Sequence, residues 1–236
     1  MATTVDSRGR QREDTRTRAD ATAGSAASPF AIDFGEGLSI DFSAHRPSTG
    51  APGPEILFEG RRGLMLAGVA AKALETDRDG EHLERGALAD SVDMWGLEDR
   101  PPVWFAHGQD AALGGRAIGW AVDYDLHADG LEALCFIPRD VGARWRGPGA
   151  PAARQRFAQV YDDIRDGRVR GYSIGGGYHS RPGSKALTRW MMTELSVAPY
   201  QSVRSATFHL LDQSDLDLLL RARRLATELE ALTHPR

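Results

Sequence analysis

Between Ile118 and Ile137 two apolar runs face each other across a short polar turn, and this stretch restricts the fold more than any other. Ile118, Trp120, Val122 and Tyr124 alternate strictly, so one face of an extended strand is apolar. Ala128-Asp129-Gly130 has turn chemistry, and Leu131 to Ile137 returns as a second strand. Together they predict an antiparallel hairpin. Further strands are read at Leu64 to Ala70, Val103 to Ala106, Val169 to Ile174, Ala186 to Val197 and Ala206 to Leu211, with a turn at Asp77 to Gly80. Helical spacing is rarer. Leu88, Val92 and Trp95 repeat at i, i+4 and i+7; Phe157, Val160, Tyr161 and Ile164 form a stripe closed by Gly167. A last helix begins at Ser214 with Asp217 and is rich in leucine and in Arg221, Arg223 and Arg224. Six or seven mostly antiparallel strands with two or three helices describe a β-rich α+β fold with helices on the flank of the core, not a βαβ alternation.

The 236 residues suffice for one full domain or two small ones. A net charge of −4 gives no global basic surface, so direct nucleic-acid binding is not expected. Only Lys72 and Lys185 are lysines among 29 basic residues, an arginine bias that fits a GC-rich genome. Cys135 is the sole cysteine, which excludes an intrachain disulfide and a cysteine metal cluster; its neighbours Leu134, Phe136 and Ile137 predict a buried thiol. No apolar run approaches the ~18 residues of a membrane span, and no signal-peptide core opens the chain, so a cytoplasmic protein is expected.

Three units follow from composition. Residues 1–54 are expected to be disordered or loosely attached, because their Arg-, Ser-, Gly- and Pro-rich stretches cannot offset the entropy of ordering. Two apolar islands within them, Phe30 to Phe34 and Leu38 to Phe42, are either a docking segment or an edge strand. Residues 55–211 form the main domain. Residues 212–236 form a helix with Leu216, Leu218, Leu219, Leu220, Leu225, Leu229 and Leu232, more than one monomer stripe requires. It is expected to pack on a partner as an assembly anchor, with closure of its own domain's core as the alternative.

Three separated segments carry residues of acyl-transfer chemistry. His107 ends the run Val103-Trp104-Phe105-Ala106, Ser173 enters the glycine-dense stretch Gly171 to Gly177, and Glu194 lies in Thr193 to Pro199. A serine is a poor nucleophile until a base takes its proton, and the base needs an orienting group. Gly171-Tyr172-Ser173-Ile174-Gly175 also matches Gly-x-Ser-x-Gly, but the elbow of α/β-hydrolases requires a parallel sheet before the serine, which the strand pattern lacks. Taken singly, Ser173 reads as a turn serine bonded to its own backbone and His107 as a structural histidine. Glu194, on the strand face of Trp190 and Met192, either has a partner that keeps it ionised or sits at an edge facing water.

In conjunction these segments have a family resemblance. Gly68-Val69-Ala70-Ala71, Asp79 to Leu88, Phe105-Ala106-His107, Ile118-Gly119, Asp166-Gly167, Gly171 to Gly175 and Thr193 to Pro199 resemble, in order, the prohead (capsid maturation) proteases of HK97-like tailed phages. The similarity spans residues 64 to 208; the chain departs from it in the long segment before the first motif and in Pro199 directly after Ala198. The resemblance implies a serine endopeptidase with the fold of herpesvirus assembly proteases, a small mostly antiparallel β-barrel with flanking helices. It places the family's histidine and serine on His107 and Ser173 and its acidic position on Glu194, with no cofactor and no metal. It further implies cleavage of the scaffolding portion of the major capsid protein and of the protease itself, self-association, and action in the host cytoplasm inside the assembling prohead. An oxyanion hole is required, from the N–H groups of Gly175 to Gly177 or from a loop elsewhere. The alternative is a non-catalytic capsid assembly or scaffold protein retaining the fold.

Overall fold

The computed structural model describes residues 31–33, 39–41, 52–89, 100–127 and 129–233. Among them run strands β1 (Ala31–Asp33), β2 (Ser39–Asp41), β3 (Ile56–Phe58), β4 (Arg61–Lys72), β5 (His82–Leu83), β6 (Pro102–Phe105), β7 (Gly119–His127) and β8 (Gly130–Pro138). Helix α1 (Ala150–Arg165) follows, then β9 (Gly171–Ser180), β10 (Ala186–Ala198), β11 (Phe208–Leu211) and helix α2 (Gln213–Thr233). β1 and β2 pair antiparallel with each other, so the described residues of the two apolar islands form a small ribbon. The rest of the expected N-terminal arm up to residue 51 and the expected helix through Val92 and Trp95 lie outside the described residues.

The main sheet has the order β11-β4-β8-β7-β6-β10-β5, with β3 on β4 and β9 on β10. It is mixed: β10 runs parallel to β5 and β6, while the other pairs are antiparallel. The expected barrel is not closed. β9 meets the strand beyond it only at the isolated bridge Gly171↔Thr207, with Tyr172 N–H donating to Ala206 O and Phe208 N–H to Arg170 O. Closing a barrel takes a continuous staggered ladder, and β11 is four residues long and already paired with β4. The seam left open holds a cavity of about 50 Å³, bounded in part by Ala70, Ala71, Tyr172, Ser173, Ser202 and Ala206.

The hairpin of β7 and β8 is present, His127 pairing with Gly130. Its apolar alternation does not mark one face, however. A register shift between Ala121 and Asp123 places Trp120 and Val122 against one core cluster and Tyr124 and Leu126 against the other. An extra residue in one strand of a pair reverses the side-chain faces beyond it. β4 and β8 are buried on both sides: Leu64, Leu66, Cys135 and Ile137 face the larger cluster, and Met65, Ala67, Leu134 and Phe136 the smaller. Helix α1 adds Phe157, Val160, Tyr161 and Ile164 to the larger cluster, and Gly167 (φ +70°) ends it as its sequence predicts. The thiol of Cys135 is fully buried, which pushes its pKa up to about 12.

Helix α2 begins on a different cap than expected. Asp212 Oδ1 accepts the N–H of Asp215 at 2.9 Å and the Ser214 hydroxyl at 2.8 Å, so Asp212, not Ser214, satisfies the free N–H groups of the first turn. Leu216 and Leu219, at 1% and 0% exposure, seal the smaller cluster over Ile56, Met65 and Phe136, whereas Leu218, Leu225, Leu229 and Leu232 are exposed. The first half of the helix thus closes the domain's own core. No described helix is long and apolar enough to cross a membrane.

Because Leu219 fills a closed cluster, Leu219→Ala should cost about 2–5 kcal/mol of unfolding free energy. Leu225→Ala, at an exposed site, should change it by less than about 0.5 kcal/mol. Urea unfolding of the two variants measures both; equal losses would show that the outer half of the helix is also packed.

Candidate functional site

Strand β10 carries the acidic residue of the site, and a bulge decides where it points. Met192 pairs with Gly176 but Glu194 pairs with Gly175, so Thr193 is an extra residue in β10. Met192, Leu195 and Val197 all enter the larger core, at 5%, 0% and 0% exposure. Glu194 and Ser196 therefore lie on the opposite side of the sheet from Met192, which corrects the expected sharing of a face with Trp190 and Met192. A Cβ at Gly175 would meet the Glu194 carboxylate. The glycine of the Gly-x-Ser-x-Gly pattern thus makes room for an acid on the neighbouring strand and forms no elbow.

Ser173 sits within β9, paired with Ser196 across the ladder, and not in a turn as its glycines suggest. It shares the face of Glu194 and Ser196, because Tyr172 and Ile174 on either side point into the larger core, opposite Val197 and Leu195. Tyr172 anchors this strand: it is fully buried, its ring lies 4.9 Å from that of Phe208, and its hydroxyl donates to Leu66 O at 3.1 Å. Burial holds its pKa well above the usual tyrosine value, so it remains a neutral donor.

His107 arrives from the other flank of β10. β6 runs parallel to β10 through Phe105↔Val197 and ends in a 3₁₀ turn, Ala106–Gly108, in which Ala106 (φ +49°) and His107 (φ +56°) are left-handed. His107 Nδ1 makes a short contact with Glu194 Oε1, and its backbone N–H donates to Ser196 Oγ at 3.2 Å. A carboxylate only accepts, so the imidazole donates from Nδ1, and in the neutral ring this leaves Nε2 as the acceptor. The loop beyond His107 is held by Asp110, which takes Arg156 Nε at 2.9 Å and the N–H groups of Ala112 and Leu113 at 3.1 and 3.0 Å. Partial burial works against the Asp110 carboxylate, yet the Arg156 hydrogen bond and these N–H groups hold its pKa below the usual value.

The three residues singled out from sequence thus come to one face of β10, from β9, from β10 itself and from the turn after β6. His107 and Glu194 are in contact. The Ser173 hydroxyl, 3% exposed, lies 3.4 Å from Ser202 Oγ and makes no hydrogen bond to His107. Sequence reasoning missed four residues. Ser196 was readable as the Glu-x-Ser step of a strand; Asp110 with Arg156 and Ser202 left no sequence signal, since their partners are 46 and 29 residues away.

Gly175→Ala should push the Glu194 carboxylate off His107, and nitrogen-15 shifts of the imidazole should change from a single Nδ1-protonated form to a mixture of tautomers. An unchanged spectrum would mean that the methyl is accommodated elsewhere. Asp110 has a lowered folded-state pKa, so its contribution to stability is present above the unfolded value of ~4 and is lost as pH falls through the folded one. Asp110→Asn should accordingly destabilise the chain at pH 7 and make progressively less difference below about pH 4, as pH-dependent thermal unfolding would measure.

No family model matches the chain, and no curated protein matches it. Among solved structures it is similar to the capsid assembly protease of bacteriophage T4, with 14% identity and a TM-score of 0.43 over 64% of this chain and 92% of that one. It is also similar to the KSHV protease in complex with a hexapeptide phosphonate inhibitor, with 14% identity and a TM-score of 0.38 over 74% of this chain and 78% of that one.

Proposed function

We propose that this chain is a serine endopeptidase of phage capsid maturation that cleaves the scaffolding portion of the major capsid protein, and itself, inside the assembling prohead. The observation that carries the reading is the His107–Glu194 pair set on the same face of β10 as the buried hydroxyl of Ser173. The substrate class is taken from the resemblance of the ordered motifs to prohead proteases. In this reading Ser173 Oγ attacks the scissile carbonyl while His107 Nε2 takes the hydroxyl proton and later returns it to the leaving amine. Glu194 holds the tautomer and stabilises the imidazolium. The Ser173 hydroxyl must turn from Ser202 to His107 for the proton transfer, because a general base has to lie within hydrogen-bond reach of the proton it takes.

A fluorophosphonate probe tests the reading on the full chain. Ser173 should be labelled covalently, and His107→Ala should abolish that labelling. Coexpressed capsid subunit should be shortened by the wild type and not by Ser173→Ala, a loss of about 10⁶-fold. Glu194→Gln should be milder by about 10²-fold, because an orienting group acts only through the histidine. A non-catalytic assembly protein would take up no probe and leave the capsid subunit intact in every case.

A further inference from the structure

Ser196 is completely buried at 0% exposure, and its hydroxyl has a defined place in the site. Its Oγ accepts the backbone N–H of His107 at 3.2 Å and donates to Glu194 Oε1 at 3.5 Å. The same carboxylate oxygen receives His107 Nδ1. Direction is forced in this circuit: an amide N–H can only donate and a carboxylate can only accept, which leaves the single hydroxyl proton of Ser196 for Glu194. One hydroxyl therefore ties both the backbone and the carboxylate partner of a single histidine together.

That backbone needs holding. Ala106 and His107 are consecutive non-glycine residues at positive φ, 49° and 56°, a strained conformation that persists only where surroundings over-determine it. The His107 N–H finds its acceptor outside its own turn, on Ser196. β10 supplies the grip from a strand whose neighbours Leu195 and Val197 are locked in the core at 0% exposure, so the hydroxyl is set by the sheet and not by a loop.

We infer that Ser196 is a positioning residue of this site. It holds the left-handed turn at His107 and the rotamer of Glu194, so that Nδ1 stays protonated and Nε2 is presented towards Ser173. It acts through His107 and Glu194 and touches no substrate; the inference rests on the endopeptidase reading above.

The experiment measures fluorophosphonate inactivation of the full chain against pH, with nitrogen-15 spectra of His107, for Ser196→Ala, Ser196→Thr and Ser196→Val. Ser196→Ala should lower the maximal inactivation rate by about 10- to 100-fold, leave the probe's half-saturating concentration unchanged, move the acid limb of the pH profile, and mix the imidazole tautomers. Thr and Val have nearly the same shape, so Thr, which keeps the hydroxyl, should restore the rate and the pH profile while Val does not. Equal behaviour of Thr and Val would reduce Ser196 to packing and overturn the proposal. So would an Ala variant with wild-type rate and pH profile, which decides the matter alone if the two larger side chains prevent folding. If the probe fails to label Ser173 in the wild type, the endopeptidase reading falls. The tautomer comparison of wild type with Ser196→Ala still tests the positioning role: mixed tautomers in the variant uphold it, and identical spectra overturn it.

Discussion

The extra residue at Thr193 is the constraint on which the site depends. Side chains of a strand alternate between faces, so an unbroken β10 that kept Met192 in the core would bury Glu194 and Ser196 beside it and turn Leu195 and Val197 out. Placing a carboxylate in that apolar cluster without a partner would cost several kcal/mol, and the acid would neutralise instead. The bulge lets one strand satisfy both demands. Met192, Leu195 and Val197 enter the core, and Glu194 and Ser196 stand on the other side of the sheet. Its counterpart on β9 is Gly175, the residue whose missing side chain leaves space for the carboxylate.

Around that carboxylate the fold converges two elements that are rigid for different reasons. β9 is fixed from beneath by Tyr172, whose ring and hydroxyl are both engaged in the core. The His107 turn is fixed from its sides, by Ser196 on β10 and by Asp110 with Arg156 of α1. Strain concentrated at Ala106 and His107 is sustained by this surrounding framework, in keeping with the tendency of left-handed non-glycine residues to mark functional positions. The open seam between β9 and β11 has a further consequence. Where a closed barrel would have placed a ladder, the chain leaves a small cavity against Ser173 and Ser202. The failure to close is therefore what gives the serine a neighbouring space.

The strands, the α1 stripe with Gly167 behind it and the hairpin of β7 and β8 were legible in the sequence, because each rests on local periodicity and turn chemistry. So were the three residue types of the site, which short motifs mark directly. Register was not legible. The bulges at Val122 and Thr193 insert one residue into an otherwise regular alternation, and nothing in the strand itself announces them; the offset shows only in the pairing with the adjacent strand, β8 or β9. The parallel pairing of β10 with β5 and β6 and the open seam likewise depend on which elements meet. Sequence by itself determined what each segment is and which side chains carry chemistry. Tertiary structure decided which way those side chains face and what holds them, because the face of a strand residue is set by pairing across the sheet and not by its neighbours in the chain.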